Sequence, residues 1–112
     1  MYQWRMEDIV VVFCTFPDRD TAVRVAQELV KNHLAACVNL LPGVESIYQW
    51  KGEMESANEV LGLIKTTTAM YATLEARLKE LHPYEVPEIV AVPASRVHPA
   101  YAQWVREMTS PE

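Results

Sequence analysis

From Ile9 to Cys14 the chain is apolar and mostly β-branched without alternation, the pattern of a strand covered on both faces. Pro17-Asp18 stops it, and Asp18 is suited to cap a helix. Ala22, Val25, Ala26 and Leu29 then recur at i, i+3, i+4, i+7, one face of an amphipathic helix that Asn32-His33 ends. After that the period changes. Leu34 to Trp50 reads as a long strand, with Val44, Ser46, Tyr48 and Trp50 on one face and Glu45, Ile47 and Gln49 on the other. Pro42-Gly43 interrupts it, so a bend or bulge is expected there. Lys51-Gly52-Glu53 predicts a hairpin turn, with a return strand over 54–67 centred on Val60 to Ile64. Thr68 is a candidate cap for a second helix, whose apolar face is Tyr71, Leu74, Leu78 and Leu81 and which Pro83 ends. Pro87 and Pro93 bracket a fourth strand over Glu88 to Val92. Pro99 suits the first turn of a last helix, with Tyr101, Trp104, Val105 and Met108 as its apolar stripe. Residues 1–7 show no period.

The order β-α-β-β-α-β-α is an α+β arrangement, the ferredoxin-like split βαβ pattern with an additional C-terminal helix. Right-handed crossovers place the first strand between the third and the fourth and put the first two helices on one sheet face. No helix is assigned to the other face. Tyr48, Trp50 and the aliphatic residues of the return strand are then partly bare, along a long hairpin edge. Such a surface aggregates unless a partner covers it, so self-association is expected from the pattern alone.

A length of 112 residues fits one domain. With half its residues hydrophobic and 22% charged, the chain is not disordered by composition. A net charge of −5 opposes binding to a nucleic-acid backbone and favours attraction of cations. The Ile9–Cys14 run is far too short to span a bilayer, and the N-terminal segment lacks the pattern of a secretory leader. A cytoplasmic protein without a membrane partner is expected. Cys14 and Cys37 do not form a disulfide framework. In the expected strand order they lie two strand spacings apart, about 10 Å, beyond the roughly 7 Å that a disulfide spans. There is no nucleophile elbow, HExxH, Gly-rich phosphate loop or CxxC, so no enzymatic activity is expected.

Five blocks carry a further signal: FCTFPD at 13–18, LAACVNLLPGVESIYQWKGE at 34–53, EVLGLIKT at 59–66, HPYEVPE at 82–88, and Tyr101 with Trp104 in the last helix. Together and in this order the chain resembles the CutA-type divalent-cation tolerance family over almost its whole length. The resemblance implies a ferredoxin-like protomer in a tight homotrimer, akin in architecture to the PII-type signalling proteins. It also implies a role in tolerance of divalent metal ions, copper most often named, with copper held through Cys14 and His82. Leu81 stands where some members carry a second His, and Val97-His98-Pro99 where a Gly often precedes the last helix.

Each candidate residue has a functional and a structural reading. Cys14 is either a soft thiolate ligand or a small buried hydrophobe. His82 is either a metal ligand or a polar group ending a helix. Because the fourth strand runs antiparallel to the first, the loop carrying His82 falls towards Cys14. A thiolate–imidazole pair prefers copper to magnesium or calcium. Two protein ligands are too few for a closed zinc site, so binding is expected to be weak. Glu59, Lys65, Tyr84 and Glu88 form either a polar crevice between protomers, fit for a small anion or a metal, or an interface network of hydrogen bonds and ion pairs. Cys37 reads as a core residue, His33 and His98 as surface polar groups, and Trp50 and Trp104 as core or interface anchors. The function read here is a trimeric metal-binding or metal-responsive protein. The alternatives are a PII-like small-ligand sensor and a trimeric scaffold that presents another protein.

Overall fold

The structure, a computed structural model, describes Gln3 and residues 5–110. Of the aperiodic opening segment, Met1, Tyr2 and Trp4 lie outside the described residues. The elements are β1 (Ile9–Phe16), α1 (Arg19–Lys31), β2 (Cys37–Trp50), β3 (Glu53–Thr67), α2 (Thr68–Leu81), β4 (Val90–Pro93) and α3 (Pro99–Met108). The strands form one antiparallel sheet in the order β2-β3-β1-β4. This is the ferredoxin-like order expected from the pattern, with β1 central.

Local chemistry sets most boundaries. Asp18 accepts a 2.8 Å hydrogen bond from the Thr21 N–H and caps α1. That bond holds its carboxyl below the ordinary carboxylate range. The hairpin turn is only Lys51-Gly52, both at positive φ, while Glu53 already pairs with Trp50. A two-residue turn with both residues left-handed matches the twist of the ribbon. At Pro42-Gly43 the register between β2 and β3 shifts, between Leu41↔Leu61 and Val44↔Glu59, which is the expected bulge.

Two boundaries differ from the sequence reading. α2 begins at Thr68 with Thr67 as its N-cap, and no side chain caps it. The N–H groups of Thr68 and Ala69 donate instead to the carbonyls of Asp8 and Met6, 2.9 Å each. The turn before β1 therefore replaces the Thr68 cap. β4 starts at Val90 rather than Glu88 and ends on Pro93, which an edge strand tolerates.

β1 sorts the core. Val10, Val12, Cys14 and Phe16 point to the face covered by Ala22, Val25 and Leu29 of α1 and by Leu74 and Leu78 of α2. Gly62 lies beneath Phe16. A Cβ there would sit 3.0 Å from Phe16 Cε2 and 3.4 Å from the Cys14 carbonyl oxygen. The opposite face is not wholly bare: α3 covers one end of it, with Ala102 and Val105 packed on Ile9 and Ala36. The buried side of α3 is thus Ala102 and Val105, which leaves Tyr101, Trp104 and Met108 of the expected stripe exposed. Beyond α3, Val11 and Phe13 share the open face with Leu61, Leu63, Val90 and Val92. Leu41, Val90 and Val92 are 42%, 51% and 43% exposed.

Gly62→Ala forces its new methyl against Phe16 and Cys14, and overpacking of this kind costs about 1–3 kcal/mol. Urea unfolding is expected to show that loss, with part of it recovered when Phe16→Leu is added. An unchanged midpoint would mean that Phe16 moves aside freely.

Candidate functional site

β1 pairs with β4 only as far as Phe13↔Val90. Past that point the Thr15 carbonyl has no partner in β4. The chain supplies one from the end of α2. Pro83 keeps the preceding residue out of helical geometry, and His82 leaves the helix at φ −80°, ψ 136°. The imidazole Nε2 lies 2.7 Å from the Thr15 carbonyl oxygen, and the Tyr84 N–H donates to Nδ1 over 3.1 Å. A backbone N–H only donates, so Nδ1 is the acceptor and Nε2 carries the proton. His82 is therefore neutral, with both ring nitrogens engaged. It is 6% exposed. Its ring stacks on Phe16 at a centroid distance of 5.1 Å and lies 4.7 Å from that of Tyr84.

Tyr84 extends the network. Its hydroxyl donates to Glu59 Oε2 over 2.6 Å. Burial first, then the hydrogen bond and charge of Glu59, push the Tyr84 hydroxyl well above its ordinary range, so it stays a donor. Cys14 meets the network at the same Thr15 carbonyl, with Sγ 3.9 Å away. It is fully buried. Burial, followed by the charges of Glu88 and Glu59, pushes its thiol from 9.0 up to about 12.

The antiparallel direction of β4 thus brings Cys14 and His82 together, as read from the sequence. The state of their donor atoms does not suit the Cys–His metal pair that the resemblance implied. The thiol is protonated, and neither imidazole nitrogen has a free lone pair. Among the described residues no group of three or more His, Cys, Asp and Glu side chains is gathered to hold a metal ion.

The expected polar crevice is divided. Glu59 and Tyr84 are bonded, and Glu88, exposed, is near enough for its charge to reach Cys14. Lys65 lies six residues further along β3, about 20 Å at the usual strand rise. There its ammonium donates to Asn39 Oδ1 across β2. Cys37 faces Lys65 in the same register, and the Tyr101 hydroxyl reaches it from α3. Both cysteines are free thiols. Sequence reasoning missed Thr15, which acts through its backbone and leaves no residue-type signal, and Asn39, whose position opposite the Lys65 end depends on the bulge.

Residues 10–108 match the family model described as CutA1 divalent ion tolerance protein. The chain belongs to the CutA1 divalent ion tolerance family. It is 47% identical over 104 residues to the divalent-cation tolerance protein CutA of Thermus thermophilus, covering 93% of this chain and 99% of that one. The corresponding Pectobacterium atrosepticum protein is 44% identical, with 88% and 89% covered. The sheet and helices superpose on the Thermus thermophilus structure with a TM-score of 0.88 over 91% of this chain and 99% of that one. CutA from Xylella fastidiosa, 39% identical, gives 0.90 over 92% and 99%. The chain spans 57% and 56% of the mouse and human proteins named CutA.

In this CutA1-family chain, Thr15, His82, Tyr84 and Glu59 tie the end of β1 to the loop before β4 and to β3. The tie has a consequence for Cys14. The folded thiol holds its proton to about 12, the unfolded one to 9.0. Its contribution to stability is therefore fully present below pH 9.0 and is lost as pH rises towards 12. In a Cys37→Ser variant at neutral pH, alkylation of Cys14 is expected to proceed no faster than global unfolding. Labelling in native buffer faster than unfolding would contradict a sealed, protonated thiol.

Proposed function

We propose that the chain serves divalent-cation tolerance as a non-catalytic homotrimer. The cation, Cu(II) first among candidates, is held weakly where protomers meet, not by Cys14 and His82 of one protomer. The observation that carries this is the open sheet face. Leu41, Val90 and Val92 are exposed beside the half-buried Val11, Phe13, Leu61 and Leu63, an apolar surface of the kind that marks an interface. The hairpin supports the same reading. Its pairs from Val44↔Glu59 to Trp50↔Glu53 extend past the last β1–β3 pair, Phe16↔Val60. A two-stranded ribbon is marginally stable alone, and this one exposes Ile47 and Met54, each at 69%, with Tyr48 and Trp50. Three copies is the number that the family resemblance implies.

For the cation, the polar network offers the carboxylate of Glu59 and, close enough for its charge to reach Cys14, that of Glu88. Two carboxylates are fewer than a closed site needs, so a second protomer supplies the rest. The Irving–Williams order places Cu(II) ahead of the other first-row divalent ions at such a site. A cytoplasmic seat belongs to the same proposal. The relatives' own names give the chloroplast for an Arabidopsis thaliana protein and the periplasm for one from Archaeoglobus fulgidus. No helix among the described residues is long and apolar enough to cross a membrane. One observation favours the small-ligand-sensor reading: a cleft of about 320 Å³ between the hairpin and the His82 loop, lined by Tyr48, Trp50, Tyr84 and Glu85 among others.

Light scattering of a dilute sample is expected to give three times the protomer mass. Val90→Asp places a charge on the apolar face and is expected to dissociate the assembly without unfolding the protomer; Trp50→Asp is expected to weaken it. Calorimetric titration with Cu(II) is expected to show weak binding that is lost in Val90→Asp and kept in Cys14→Ala. A folded wild-type monomer at micromolar concentration, or copper binding that survives Val90→Asp and disappears in Cys14→Ala, would overturn the proposal.

A further inference from the structure

The turn that caps α2 stands over a cavity of about 300 Å³, at the small end of ligand-sized pockets. Three features of its wall bear on one another. The first is the N-terminus of α2, a 14-residue helix with no acidic residue in its first turn and no side-chain cap. Backbone carbonyls take the N–H groups of Thr68 and Ala69. The next N–H, on Met70, is the one that a capping Thr67 hydroxyl would accept from, and that bond is not made.

The second feature is Thr67 itself. The residue is 6% exposed and lines the cavity. Its hydroxyl has no hydrogen-bond partner among the described residues, yet no side-chain polar atom among them is sealed away without one. The hydroxyl therefore opens onto the cavity. The third is Arg106, half-buried on α3. Its Nε donates to the Glu7 carbonyl over 3.1 Å, which fixes the guanidinium. The ion pairs among the described residues are those of Arg77 with Glu28 and Glu80. No carboxylate among the described residues pairs with the terminal nitrogens of Arg106.

The geometry points to a binding site for a small oxyanion of the phosphate class, free or as a small monoester, between the N-terminus of α2 and Arg106. The anion accepts from the Arg106 terminal N–H groups, the Thr67 hydroxyl and the Met70 N–H, and lies at the positive end of the helix dipole. A nucleic-acid backbone does not fit, because a single cation on an acidic chain cannot neutralise a run of phosphates. Glu7 is the one carboxylate on the wall among the described residues and opposes binding. The site stands apart from the cation reading, at the N-terminal end of α2 beside the turn that leads into β1.

The test is a titration of the full chain with inorganic phosphate at constant ionic strength, followed by amide and guanidinium NMR signals. The Met70 N–H and Arg106 Nε–H are expected to shift saturably with phosphate and not with chloride. Thr67→Val keeps the residue's shape and removes a hydroxyl that bonds no described residue. It is expected to weaken binding roughly tenfold, the usual loss for one hydrogen bond to a charged group. Arg106→Gln is expected to weaken it further, and Glu7→Gln to tighten it. No saturable shift at Met70, equal affinity in Thr67→Val, or weaker binding in Glu7→Gln would each overturn the site.

Discussion

Hydrophobic burial along β1 governs the rest of the protomer. Val10, Val12, Cys14 and Phe16 lie beneath both long helices and are at most 1% exposed, while their neighbours Val11 and Phe13 face a surface that α3 reaches only at the Ile9 end. A central strand that is apolar on both sides needs cover on both sides. The chain supplies it once in full and once in part. The exposed Leu41, Val90 and Val92, the unsupported hairpin and the outward Tyr101 and Trp104 all follow from that shortfall. The proposed assembly of further copies would supply that missing layer.

The polar network at the end of β1 answers a different need. A central strand that outruns its neighbour leaves a carbonyl to satisfy, and an unpaired buried group costs about as much as a hydrogen bond contributes. His82 meets that need at Thr15, Tyr84 fixes the tautomer of His82, and Glu59 holds Tyr84. The residues that suggest a copper pair by type are thus occupied in closing the fold. The same reasoning accounts for Cys14: deep burial first, then the charges of Glu88 and Glu59, favour the thiol over the thiolate that a soft metal needs.

Much of this was legible in the sequence because local signals agreed with the global fold. The unbroken apolar run located β1, the helical spacing of Ala22, Val25 and Leu29 gave the covered face, and Pro42-Gly43 marked the bulge. The sites were less legible for identifiable reasons. Pro42-Gly43 marks a bend or bulge but not its size, and only the one-residue shift found there puts Asn39 opposite Leu63 on the face of Lys65, so that bond is hidden in the sequence. The stripe of Tyr101, Trp104 and Met108 is as apolar as a core face, and only tertiary packing shows that Ala102 takes the inside. The cap of α2 comes from carbonyls of a turn some sixty residues earlier, which no residue type announces. Cys14 and His82 were rightly placed near each other, but ligand type does not reveal protonation or occupied lone pairs.

The dependence of stability on protein concentration tests most directly whether the open face is completed by other copies. If folding of the sheet and assembly are linked, unfolding releases separate chains, and the urea midpoint rises with protein concentration. Equilibrium unfolding followed across a wide dilution series is expected to show that rise. A midpoint identical at every concentration would contradict the account and leave the apolar face stable in water by itself.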